Sequence, residues 1–251
     1  MLFILRQLRR LELRKRSGRY FLYAIGEIVL VVVGILVALQ INNWNEERKL
    51  ADVETELLRG LLADLNQTAE NLDEGIAFNQ FTELKYREIL DALDDENVDE
   101  TQLEGAFGQI DNWAALYPTT SAYASLKAKG IDIIQNSKLR NAIVELYENE
   151  FVFLLEDTDR SEWSIHDSVK MPFFAKHFEV RTPEEGIVLW EFSNDTATAN
   201  DFQSLRTNQE FINLLSLMVR MRATNLAFSK ATQVKLTQVI ESIEQELGGR
   251  S

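Results

Sequence analysis

The chain has 251 residues, enough for one anchor and one ordinary domain, and its 45% apolar and 10% aromatic content supports a real hydrophobic core. Only 3 prolines and 11 glycines among many Leu, Ala, Glu and Gln residues favour a mainly α protein. The absence of cysteine excludes disulfides, thiolate catalysis and Cys-ligated zinc, and a net charge of −14 argues against nucleic acid as a partner.

The charge is unevenly spread. Residues 1–41 carry Arg6, Arg9, Arg10, Arg14, Lys15, Arg16 and Arg19 against Glu12 and Glu27, a net of +5, which leaves −19 for residues 42–251. Residues 1–19 read as a basic cytoplasmic tail. Residues 20–41, YFLYAIGEIVLVVVGILVALQI, then form 22 positions with a single charge. As a helix this length covers about 30 Å, the thickness of the bilayer's hydrocarbon. Tyr20, Phe21 and Tyr23 at one end and Trp44 beyond the other stand where aromatic belts lie. A cleaved signal peptide would share the basic flank, but no small-x-small site follows the apolar core. The expectation is an uncleaved signal-anchor in the inner membrane, with the N-terminus cytoplasmic and residues 42–251 as an acidic helical periplasmic domain.

Glu27 is the costly residue of the span, at roughly 2.5–3.5 kcal/mol near a bilayer centre and less toward its edge. Helical spacing puts Glu27, Val31, Gly34 and Ala38 on one stripe, with Gly34 and Ala38 forming a small-xxx-small pair. This is a candidate helix-association face for self-association or a membrane protein partner. A Glu that merely tolerates its place is the plainer alternative.

The run from Tyr23 through Gly26-Glu27, Gly34, Gln40-Ile41-Asn42-Asn43-Trp44 to Glu47 resembles the N-terminal signature of a bacterial membrane family, domain of unknown function 6090. Leu126-Lys127-Ala128-Lys129-Gly130 with Ile134, Asn136, Leu139-Arg140 and Tyr147 is similar to that family's central motif. The motif usually opens Leu-Lys-Ser-Ser-Gly, so Ala128 and Lys129 depart from it. The last 80 residues carry no resemblance. Membership implies a one-span protein with a helical extracytoplasmic part and brings no known activity.

Beyond the anchor, Val53, Leu57, Leu61, Leu65, Leu72 and Ile76 predict a helical stripe that Leu84, Ile89, Leu90 and Leu93 extend and Asp94–Asn97 ends. No proline interrupts residues 20–117, so the anchor is expected to run into this helix and link span to domain mechanically. Thr101–Glu104 reads as a capping box for a helix closed by Pro118. Ser121 opens a short helix that stops at Gly130. Ser137 caps another, with Leu139, Ile143, Leu146, Tyr147, Phe151 and Leu154 inward, fading before Pro172. Residues 171–200 read as a loop with a short strand at 187–192. Asn208 caps a last helix to about Leu247, with a stripe of Phe211, Leu214, Met218, Met221, Asn225, Phe228, Thr232, Leu236, Ile240, Ile243 and Leu247. The whole reads as an N-terminal transmembrane helix continuing into an extracytoplasmic antiparallel helical bundle, with two long helices and two or three shorter ones.

No nucleophile elbow, P-loop or dinucleotide fingerprint occurs, and catalytic, cofactor and metal residues are all read as none. His166 and His177, eleven residues apart, lack zinc spacing and read as loop histidines. Paired carboxylates such as Glu241 with Glu244 are inevitable in so acidic a chain and read as solvated faces. Around Pro118, Trp113, Tyr117, Thr119, Thr120 and Tyr123 either line a small-ligand pocket or form a turn whose hydroxyls cap the next helix, the second reading being favoured. A membrane-anchored, non-enzymatic interaction or sensory module is the leading expectation. The alternatives are a constitutive accessory subunit of a membrane complex and, less well supported, an envelope enzyme.

Overall fold

The computed structural model describes residues 2–115, 117–181 and 195–249, with side chains from Ile25 onward. It divides into two compact units, residues up to 55 and residues from 56 onward. Helix α1 spans Leu2–Asp94, so the expected continuity of helical structure from the apolar segment onward is present. In the first unit that segment is long and apolar enough to cross a membrane, with a mean hydropathy of 2.3 over its best window and none of that window buried. Leu30 and Leu36 are among its exposed apolar side chains.

In the second unit α1 buries Leu57, Leu58, Leu61, Leu65, Leu72, Ile76, Ile89 and Leu93, the stripe expected from its spacing. Leu84 departs from it and is exposed, because Tyr86 holds the inward position of that turn. After α1 come a 3₁₀ turn at Glu100–Leu103, α2 at Glu104–Phe107 and α3 at Ser121–Lys129. The helix expected from Thr101 to Pro118 is therefore confined to one α turn, and Asp99, which accepts from Thr101 N–H, is the cap. From Ile110 on the backbone takes its partners from α1 instead. Tyr86 Oη donates to Ile110 O and Asn112 O, Asn79 bonds both N–H and C=O of Ala114, Thr119 N–H donates to Thr68 Oγ1, and Asp64 accepts from Ser121 and Ala122. Residues 110–115 and 117–122 thus form a strap running antiparallel to α1. Side chains satisfying backbone groups in this way compete directly with helix formation.

The third stretch of the fold, after α1 and the segment holding α2, the strap and α3, is a long helical run over 137–177. It consists of α4 (Ser137–Glu145), α5 (Phe151–Phe153), α6 (Arg160–Ile165) and α7 (Met171–His177), joined by wide π turns at Leu146–Glu150, Leu154–Asp159 and His166–Lys170. Asn136, rather than Ser137, is the cap, accepting from Lys138 and Leu139 N–H. Leu139, Ile143, Leu146, Tyr147, Phe151 and Leu154 face inward as expected. Pro172 does not end the run. The preceding turn closes from Met171 N–H to His166 O, five residues back, and this widening accommodates a residue with no N–H of its own.

Residues 171–181 and 195–200 are correspondingly not a loop: α7 leads into β1 (Phe178–Arg181), which pairs antiparallel with β2 (Thr196–Ala199), Phe178 opposite Ala199. The strand expected at 187–192 lies outside the described residues. After α8 (Phe202–Arg206), Asn208 caps α9 (Gln209–Gly248) as anticipated. Cross-links set its direction. From its cap Asn136 along the third run, Asn136, Glu150 and Glu162 meet Glu246, Lys235 and Arg222 in falling order, while Asp73 of α1 meets Gln233 and Leu93 meets Arg206 of α8, just before α9. Helix α9 is therefore antiparallel to both other long runs, which are parallel to one another. The strap is the return path that this arrangement requires.

The core at the α9 start joins Tyr86, Ile89, Phe107, Ile110, Phe173, Phe178, Phe202, Phe211 and Met218. Farther along α9 the expected stripe shifts. Arg222 and Leu226 are buried, Met221 and Asn225 are half-buried, and Phe228 faces solvent, edge-on to Phe153 at 4.8 Å between ring centroids.

Candidate functional site

The strap, α1 and the middle of the third run enclose a cleft of about 670 Å³. Asn71, Glu74, Gly75 and Phe78 come from α1, Asp111–Ala115 and Tyr117 from the strap, and Asp159, Trp163 and His166 from the third run. One turn apart on their run, Trp163 and His166 converge on Trp113. The Trp113 and Trp163 rings meet edge-to-face at 4.9 Å, and His166 lies 5.2 Å and 5.6 Å from the two. Trp113 Nε1 donates to Asp159 Oδ1 at 2.9 Å, and the two Asn79–Ala114 hydrogen bonds of 3.0 and 3.1 Å anchor the strap at the next residue. The wall is thus held in place by its own hydrogen bonds.

Behind this wall is a buried charge cluster. Glu162 and Arg222, each about 1% exposed, form a two-point ion pair, and Asn225 Nδ2 donates to Glu162 Oε1 at 3.0 Å. Lys170 Nζ, fully buried, lies 3.9 Å from Glu162 Oε2 and 4.7 Å from the Trp113 ring centroid. It also reaches Asp111 O at 3.5 Å. Burial holds the Lys170 ammonium down at about 8, against the opposing pull of the Glu162 carboxylate. Burial likewise pushes the Asp111 carboxyl up, its own backbone N–H and Lys170 pulling the other way, and raises the Tyr86 hydroxyl. Among the described residues, Arg222 Nε has no hydrogen-bond partner.

The residues expected around Pro118 separate. Trp113 and Tyr117 line the cleft. Thr119 gives its N–H to Thr68 and its carbonyl to Tyr147 Oη, and Thr120 stands before α3 without a side-chain cap bond. The cap of α3 is instead Asp64, with Ala122 N–H at 2.7 Å, so the expected capping by the strap's own hydroxyls is corrected. Tyr123 stacks on Tyr147 at 4.2 Å and donates to Glu148. His166 and His177 lie in helical turns rather than a loop, His166 bonded to Asp167 and His177 stacked on Phe173. On α1, Glu27, Val31, Gly34 and Ala38 share one exposed stripe, and a Cβ built at Gly34 meets nothing within 4 Å.

Sequence reasoning missed Phe78, Trp163 and the Glu162–Lys170–Arg222 cluster. The available signal was the pairing of Trp163 with His166 at i and i+3. Arg222, four residues after Met218 and four before Leu226, was a second.

The family model of DUF6090, described as a family of unknown function, matches residues 27–174, more than half of the chain, and this stretch contains the apolar segment from Glu27 onward and every residue of the cleft. No curated protein and no solved structure matches the chain.

Proposed function

We propose, taking as premise that the chain belongs to the DUF6090 family, that it is a membrane-anchored, non-enzymatic interaction or sensory module. The apolar part of α1 is an uncleaved signal-anchor in the inner membrane. The basic tail of residues 1–19 stays in the cytoplasm and the acidic residues 42–251 are periplasmic, the orientation that the positive-inside rule favours for +5 against −19. The cleft receives a small ligand. The stripe of Glu27, Val31, Gly34 and Ala38 meets a second copy or another membrane protein.

The observation that carries this reading is the cleft itself. Its aromatic wall is held by dedicated hydrogen bonds, and one of its sides belongs to α1, the helix that also contains the apolar segment. Its size is that of ordinary small-molecule sites, about 300–1,000 Å³. Affinity capture of the full-length protein from its native membranes in mild detergent, with mass spectrometry, tests the reading. A stoichiometric membrane partner or a discrete homo-oligomer, lost or weakened in Glu27→Leu, is the expected outcome. Recovery of the wild-type protein as a lone monomer defeats the interaction reading.

A further inference from the structure

We infer that the cleft selects a small organic cation, an ammonium or amine with an apolar body. The inference rests on the reading of the cleft as a ligand site and adds the chemistry of its ligand. Four aromatic side chains line it, Phe78, Trp113, Tyr117 and Trp163, with Tyr117 and Trp163 about half exposed to solvent. Ring faces attract cations through their quadrupole, and several rings around one space are the usual aromatic cage.

Charge points the same way. Glu74, Asp111 and Asp159 are the ionisable acids of the wall, and His166, its Nδ1 on Asp167, is the one basic group there among the described residues. Behind the wall, Glu162 and Arg222 neutralise one another, which leaves Lys170, among the described residues, as the remaining buried cation set against three carboxylates. The local sum is negative, so an anionic ligand would be repelled. Glu74 forms no hydrogen bond or ion pair among the described residues and is exposed, so its charge is available to the cleft that it lines. Asp159 uses Oδ1 to hold Trp113. The protein already places one ammonium against this wall: Lys170 Nζ sits 4.7 Å from the Trp113 centroid without lining the cleft itself. The aromatic rings and the net negative charge of the wall meet at the Trp113–Asp159 hydrogen bond, and a cation with an apolar body uses both.

The test is titration of full-length protein in nonionic detergent, followed by tryptophan fluorescence and calorimetry. The probes are choline, tetraethylammonium, and two isosteres of choline, the neutral 3,3-dimethylbutan-1-ol and the anionic 3,3-dimethylbutanoate. The cations are expected to saturate at millimolar concentration or below, roughly tenfold tighter than the alcohol, with the anion weakest. Added salt and Glu74→Gln each weaken cation binding several-fold, and Trp163→Ala removes it. If the alcohol or the anion binds as tightly as choline and Trp163→Ala abolishes that binding, cation selectivity is overturned while the cleft stands as a ligand site. If no probe saturates, the cation inference and the ligand-site reading fall together.

Discussion

Replacing Arg222 with Met leaves the Glu162 carboxyl without its ion-pair partner in a site where both side chains are about 1% exposed. The substitution removes the two-point ion pair and the Arg222 contact to Asn112 O, while Asn225 still donates at 3.0 Å and Lys170 stays at 3.9 Å, beyond hydrogen-bond range. Breaking one side of a buried pair typically costs about 3–5 kcal/mol. The remaining Asn225 bond and the Lys170 charge place Arg222→Met near the lower end, about 3 kcal/mol. In a domain of this size that is a fall in Tm of about 6–12 °C. The assay is urea and thermal unfolding of full-length protein in detergent, read by the fluorescence of Trp113 and Trp163 beside the cluster. The diagnostic step is the double variant Glu162→Leu with Arg222→Met. Removing both charges replaces an orphaned carboxylate with apolar packing, so the double variant is expected to be more stable than Arg222→Met alone. Strict additivity, or a loss under about 1 kcal/mol for Arg222→Met, refutes the claim that the pair is buried and coupled.

Other consequences are equally specific. The Lys170 ammonium has a folded value of about 8 against about 10.4 when unfolded, so between these the unfolded chain holds a proton that the folded chain lacks, and stability rises with pH. The full gain is about 3 kcal/mol. Above pH 10 it is opposed by Tyr86, Tyr123 and Tyr147, whose hydroxyls burial raises, so the rise is read between pH 8 and 10. Lys170→Met should flatten the rise and match or exceed wild-type stability at pH 7; an unchanged slope in chemical denaturation assigns it elsewhere. Asp64→Ala removes the cap of α3 and should cost about 1–2 kcal/mol, with Asn restoring part of it, measured in the same denaturation series. At Gly108 an added Cβ would lie 1.9 Å from Asp195 O, a backbone atom that cannot swing away, so Gly108→Ala should destabilise by about 2 kcal/mol or more; wild-type stability would show that α2 and β2 do not approach so closely.

Much of this protein is determined by local pattern. The apolar run to Ile41, the stripe from Leu57 to Ile76, the stop at Asp94, the turn at Gly130 with φ of 103° and the Asn208 cap are all set by spacing and by residue type. Each depends on neighbours within one or two helical turns, which is the range over which amphipathic periodicity and capping act. Trp113 and Tyr117 could be singled out for the same reason, being aromatic residues close in sequence beside a proline.

Tertiary structure decided the rest. Residues 110–115 and 117–122 carry apolar residues compatible with helix, yet Tyr86, Asn79, Thr68 and Asp64 take backbone hydrogen bonds there from as far as 58 positions away. The wide turns that carry the third run past Pro172 arise within a packed helix. Arg222 belongs inside because Glu162, 60 residues earlier, is buried opposite it, and the cleft exists because the strap brings Trp113 to Trp163. These features have one physical cause. A buried charge or a backbone group away from water must find a partner, and only the folded chain determines which distant residue supplies it.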